Sequence, residues 1–177
     1  MDSSPSLPAS LPGVVGSHWL YTVEPIGTVS LEFFGTTLVG LHPLLGQAED
    51  LPYLDSCHPL AQTLAAYAAA DFVAYERLRR RLPMRASGTP FQRCVWNALQ
   101  KIPLGRVRSY GELASVLHNA PRAVGQACRR NPIAILIPCH RVLAKHGLGG
   151  YSGKREGAEI AYKDLLLRHE GVEYARA

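Results

Sequence analysis

Between Trp19 and Leu41, β-branched and aromatic residues gather into short runs over 19–23, 28–34 and 37–41, with Gly27 and Gly35 between them. Runs of this length broken by glycine predict a small antiparallel meander. From Pro59 to about Leu82 the period lengthens. Leu60, Leu64, Tyr67, Phe72, Tyr75, Leu78 and Leu82 recur mostly every three to five residues, which predicts one helix or two joined near Asp71. Next comes a legible start signal: Thr89 can cap, Pro90 takes the first helical position, and Gln92 can reach back to close a capping box. The helix it opens runs to about Lys101 with Phe91, Val95, Ala98, Leu99 and Ile102 on its apolar face, and Trp96 reads as core packing. Ser109 can cap a helix through about Leu117, and Asn119 with Pro121 opens another to about Arg130, so the pair is a helix-turn-helix candidate. A last helix spans 157 to 168 and is stopped by Gly171.

These elements predict an α+β chain. A flexible tail is expected over 1–17, where Ser, Pro and small residues show no periodicity. A small N-terminal domain with an antiparallel sheet and helix follows over 18–87, then a mostly helical C-terminal domain over 88–171 and a short tail over 172–177. The chain has 177 residues and 47% hydrophobic content, enough for one compact unit or two small domains sharing an interface. A net charge of +5, carried mostly by arginine, suits a polyanionic partner without establishing one. The cationic stretch Arg77, Arg79, Arg80 and Arg81 reads as a solvated face that complements a helix dipole, with DNA contact or nuclear targeting as the alternative. Four cysteines without a paired-spacing framework read as reduced thiols in an intracellular compartment, nuclear in a eukaryote and cytoplasmic in a prokaryote. No apolar stretch reaches the roughly 18 to 20 residues that span a bilayer, and no signal-peptide pattern opens the chain, so no membrane partner is expected.

Chemistry concentrates where an apolar run of strand length, Ile135-Leu136-Ile137, meets Pro138-Cys139-His140-Arg141-Val142. A proline ending such a run delivers the next residue to a fixed point at the edge of a core, where a thiol can be held and reached. Free cysteine ionises near pH 8.5, so an adjacent imidazole that takes its proton makes it a nucleophile. By itself the dipeptide reads first as a small buried residue beside a histidine, with catalysis second.

The wider pattern resolves this. Residues 88–171 resemble the C-terminal domain of the O6-alkylguanine-DNA alkyltransferases, in order: Gly88-Thr89-Pro90-Phe91-Gln92, Val95-Trp96, Ile102-Pro103 with Gly105, Ser109-Tyr110 with Leu113-Ala114, Arg122-Ala123-Val124-Gly125, Asn131-Pro132, Pro138 to Val142, Gly150-Tyr151-Ser152-Gly153, Lys163, and His169-Glu170-Gly171. The resemblance implies single-turnover repair of double-stranded DNA, in which the alkyl group of O6-alkylguanine, with O4-alkylthymine as a second candidate lesion, moves irreversibly to Cys139. It implies no cofactor and no metal, and a monomer. In that reading His140 is the base through an intervening water, Glu170 orients the imidazole, and the Tyr110 phenol donates to the flipped guanine. Ser152 meets the O6 atom, Tyr151 and Val142 line the site, Asn131 bridges the recognition helix to the active-site loop, and Lys163 is a secondary member near the pocket. Arg122 fills the gap left by the extruded base, small residues such as Ala123 let the helix approach the minor groove, and Arg129 with Arg130 faces phosphate.

Some features depart from that pattern. The connection from Leu117 to Pro121 is about two residues shorter, the charged run from Lys154 to Glu159 is longer, and no cysteine precedes Cys57, so no structural zinc site is expected in the N-terminal segment. Three other readings stay open on the residues alone: a module that recognises alkylated DNA without transfer, a cysteine hydrolase using Cys139, His140 and Glu170, and a transcriptional regulator.

Overall fold

The computed structural model describes residues 16–46 and 49–174. The expected tail over 1–15 and the last residues 175–177 lie outside the described residues. Ser17, placed in the expected tail over 1–17, opens the first strand, and Val172, placed in the expected tail over 172–177, is buried against Leu143 and Leu167.

Three antiparallel strands, β1 (Ser17–Val23), β2 (Gly27–Phe34) and β3 (Thr37–Pro43), form the meander in the order β1-β2-β3. Along β2, Val29, Leu31 and Phe33 are buried while Glu32 and Phe34 face outward, the alternation a one-sided sheet requires. The far edge of β3 is not left bare. Leu41 N–H donates to the Pro132 carbonyl at 2.8 Å, and Ala134 N–H donates to the Leu41 carbonyl at 2.9 Å, so the sheet holds the chain just before Cys139.

The long amphipathic stretch divides into α1 (Pro59–Ala68) and α2 (Phe72–Arg79), the two-helix alternative, because Asp71 caps the second helix by accepting from Ala74 N–H at 3.0 Å. Arg79 is not on a solvated face as expected. Its side chain is mostly buried, paired with Glu76 at 2.9 Å.

In the C-terminal segment, α3 (Pro90–Leu99) starts with the Thr89–Gln92 capping box, and α4 (Tyr110–Val116) with a second box between Ser109 and Glu112. Before α4, β4 (Arg108–Ser109) pairs in parallel with β5 (Val142–Leu143). The turn 117–120 leads to α5 (Pro121–Arg129), whose cap position holds Ala120 and has no side-chain cap; Asn119 instead bonds the Ala120 N–H. Trp96 is core, as expected, and its indole N–H donates to the Ala127 carbonyl at 2.9 Å, locking α3 to α5. The last helix, α6 (Ala158–His169), ends at Gly171. One continuous core runs from Val29, Leu31 and Leu41 through Leu64 and Tyr67 to Val95, Leu99, Ile133 to Ile137 and Leu166.

The apolar run before Cys139 is not a strand. Residues 133–137 fold into a fully buried turn with Ile137 N–H on the Ile133 carbonyl, and Ile135 sits at φ +68°. A β-branched residue in the left-handed region carries backbone strain, and buried irregular backbone must find its hydrogen-bond partners elsewhere. Side chains supply them. Asn131 Nδ2 donates to the Ile137 carbonyl at 2.7 Å, Asn131 Oδ1 accepts from Ile133 N–H, and Tyr75 O–H reaches the Ile135 carbonyl.

Candidate active site

The buried turn delivers Cys139 as the first residue of a short 3-10 turn, Cys139–Arg141. Cys139 is 7% exposed, and its thiol lies between Asn131, whose Nδ2 is 3.2 Å from Sγ, and the hydrogen-bonded Tyr151 phenol. Burial pushes the Cys139 thiol up, while Asn131, the Lys163 charge and Tyr151 favour the thiolate. Cys128, buried on α5, is pushed up by burial too, whereas Cys57 and Cys94 are exposed.

His140 is bonded to Glu170 and not to the thiol. Its Nε2 is 2.8 Å from Glu170 Oε1, and its Nδ1 has no protein partner among the described residues. An ionised carboxylate accepts only, so Nε2 carries the proton and Nδ1 is left as a free base. Burial lowers the His140 pKa against the opposing pull of Glu170, which keeps the ring neutral at pH 7. Thiol and imidazole are therefore not joined directly.

Glu170 lies at the C-terminal end of α6 and is buried. Burial pushes its carboxyl up, but hydrogen bonds and charges from His140 and Arg141 prevail and hold it down to about 2. Arg141 grips both oxygens, with Nε on Oε2 at 2.7 Å and NH2 on Oε1 at 2.8 Å, and spends NH1 on the Ile102 carbonyl at 2.7 Å. Tyr67 adds a further donor to Oε1 at 2.7 Å. Arg141 and Tyr67 were not singled out by the sequence reading. Arg141 stood inside the quoted motif, but Tyr67 showed only as an apolar position of a helix.

Lys163, secondary in the sequence reading, is fully buried. Its Nζ donates to the carbonyls of Val142, Leu148 and Gly150 at 2.6, 2.7 and 3.2 Å, and burial pushes its pKa down to about 8. Val142 is core, and its carbonyl is one of these three acceptors. Tyr110, half-buried at the start of α4, donates to the Gly150 carbonyl at 3.1 Å. Ser152 is exposed beside buried Tyr151, at φ +49°.

On α5, Val124, Ala127 and Cys128 face the core, Ala123 is half-buried, and Arg122, Arg129 and Arg130 are exposed. Arg129 lies across Gly153, where a Cβ would sit 2.4 Å from its Nε. Gly153 takes φ +84°, a conformation that favours glycine, and its missing Cβ leaves room for the Arg129 side chain. No cluster of three or more potential metal ligands occurs among the described residues, and no described helix is long and apolar enough to cross a membrane.

Fold and site together define a class: an α+β protein with an exposed basic helix and a buried thiol, whose neighbouring imidazole is bonded to a carboxylate from the last helix. Residues 90–172 match the family model for the 6-O-methylguanine DNA methyltransferase DNA-binding domain. A methylated-DNA–protein-cysteine methyltransferase of Shigella flexneri is 36% identical over 164 residues, covering 89% of this chain and 91% of that protein. The like-named protein of Archaeoglobus fulgidus is 44% identical over 98 residues, 55% of this chain and 67% of its own length; that of Salmonella typhimurium is 45% identical over 115 residues, 63% and 62%. Among solved structures, Mycobacterium tuberculosis OGT in complex with DNA superposes with a TM-score of 0.70 at 35% identity, covering 87% of this chain and 92% of that one. The chain belongs to the methylated-DNA–protein-cysteine methyltransferase family.

Proposed function

We propose that this protein repairs DNA directly, moving the alkyl group of O6-alkylguanine onto its own Cys139 in one irreversible turnover, as a monomer on duplex DNA. The observation that carries the reading is the buried Cys139 thiol in a ring of donors beside a neutral imidazole with a free Nδ1. The thiol proton passes to His140 Nδ1 through a bridging water, and Glu170 balances the imidazolium that forms. The thiolate attacks the alkyl carbon in line, a C–S bond forms, and the C–O6 electron pair returns to guanine, which takes up a proton. The Tyr110 phenol and the Ser152 donors face the base in this role, with Tyr151, Val142, Asn131 and Lys163 shaping and charging the acceptor site. The base reaches the thiol only after extrusion from the stack, at a few kcal/mol. Arg122 fills the gap, Ala123 permits close approach, and Arg129 with Arg130 holds phosphate. In this division the segment 88–171 carries DNA binding and acceptance, and 18–87 buttresses it.

The test is intact-protein mass spectrometry after mixing with duplex DNA that contains one O6-methylguanine. Each molecule should gain one CH2, methyl replacing the thiol hydrogen, and then stop. Cys139→Ala should gain nothing, while its duplex affinity stays within about tenfold of the parent, 1.4 kcal/mol. Turnover beyond one group per protein, or methyl transfer surviving Cys139→Ala, would refute the assignment.

A further inference from the structure

Glu170 Oε1 is a crowded atom. It accepts from Tyr67 O–H at 2.7 Å, from His140 Nε2 at 2.8 Å and from Arg141 NH2 at 2.8 Å, while Oε2 takes Arg141 Nε. Arg141 and His140 belong to the turn that carries Cys139, but Tyr67 arrives from α1, 103 residues away in sequence. Its aim is fixed. The Tyr67 ring packs at 4.9 Å from Tyr75, 6.0 Å from Phe72 and 5.1 Å from His169, and its carbonyl bonds His169 Nε2 at 2.6 Å. The end of α1 thus clasps the His169-Glu170 end of α6 through backbone and side chain together.

We propose that Tyr67 is a positioning residue for the transfer reaction: its phenol O–H occupies Glu170 Oε1 and sets how strongly that carboxylate draws a proton onto His140. The inference rests on the reading of His140 as the base. A donor on a carboxylate oxygen withdraws negative charge from it, so a competing donor on the same atom, here His140 Nε2–H, is held less tightly in its protonated ring form. Toward Glu170 the Tyr67 phenol donates, since an ionised carboxylate only accepts, and burial with Glu170 itself keeps the phenol proton on by pushing its pKa well above the ordinary range. The charged and titratable groups facing this pair are Arg141 beside Glu170, Lys163 near His140, the Tyr75 phenol from α2, and His169 against Tyr67. With the Arg141 fork intact, loss of the phenol should tune the base rather than abolish it.

Single-turnover transfer from O6-methylguanine duplex should be followed between about pH 5.5 and about pH 8.5 for the parent and Tyr67→Phe. Without the phenol, Glu170 pulls harder on the imidazolium, so the acid limb should move up by about half a pH unit. The variant is then about threefold slower on that limb and within about twofold of the parent at the alkaline end. Tyr75→Phe, in the same ring cluster but bonded to the Ile135 carbonyl, should leave the limb where it is. Should Tyr67→Phe fail to fold, 3,5-difluorotyrosine at position 67 keeps the shape, strengthens the donor and should move the limb down. Equal slowing at every pH, an unmoved limb in both Tyr67 variants, or a matching shift in Tyr75→Phe overturns the proposal. An NMR titration of the His140 ring, read on the free protein, must shift in the same direction. It tests Tyr67 even if the parent proves to transfer no alkyl group, which would defeat the functional reading instead.

Discussion

The Lys163 ammonium has three protons and three backbone carbonyls to receive them, and no water is needed to satisfy it. Burial pulls the ammonium down to about 8, and the neighbouring Cys139 and Cys128 sulfurs pull the other way, so the proton stays on at neutral pH. The charge serves two ends. It ties β5 to the loop carrying Leu148 and Gly150, and it favours ionisation of Cys139. Lys163→Met keeps length but takes the ammonium donor from the Val142 and Leu148 carbonyls, Gly150 keeping the Tyr110 phenol, so we expect roughly 2 to 4 kcal/mol of lost stability by urea unfolding. In the folded fraction, transfer at pH 7 should slow by about tenfold as the thiolate loses its cation. Unchanged transfer would show that the ammonium is purely a structural tie.

At the scale of elements, α5 separates two duties by its faces. Val124, Ala127 and Cys128 anchor it over Trp96, and Arg122, in its first turn, is exposed. Because Arg122 is outside the core, Arg122→Ala should fold normally and leave dealkylation of free O6-methylguanine base within about twofold. Repair of the same lesion in duplex should fall at least about tenfold, since only there does an emptied stack need filling. Comparing the two substrates by mass spectrometry decides it. Equal losses on both would mean that the arginine shapes the pocket instead.

For the molecule as a whole, the buried charge cluster makes stability depend on pH in a defined direction. Glu170 titrates near 2 in the fold and at about 4.3 in an unfolded chain, so its contribution is complete above about pH 4.3 and is lost as pH falls toward 2. His140, lowered in the fold, acts in the same sense: below about pH 6.5 the unfolded chain takes up a proton that the folded ring resists. Unfolding midpoints should therefore decline from about pH 6.5 downward and more steeply below about pH 4.3. In Glu170→Gln, whose absolute stability falls because Arg141 loses its partner, the steep part between about pH 4.3 and 2 should be much weaker. A parent curve flat across that window would contradict the ion-pair account.

Much of this molecule was legible without coordinates because the signals were local. Thr89 with Gln92, Ser109 with Glu112 and Asp71 with Ala74 satisfy helix ends three residues away, and side chains that near in sequence meet whenever the helix forms. Strand alternation in β2 is equally local, and the ordered motifs around Cys139 carried the family. Tertiary structure decided the rest. Residues 133–137 have strand composition, yet they turn, because Asn131, Tyr75 and the β3 edge take up their backbone groups. Lys163 stood only as a secondary pocket residue by resemblance, with nothing local to announce its three carbonyls, and Tyr67 looked like any core aromatic. A buried charge is tolerated only where its partners converge. Those partners lie 29 residues away for Arg141 and 103 for Tyr67, a separation that apolar periodicity does not record.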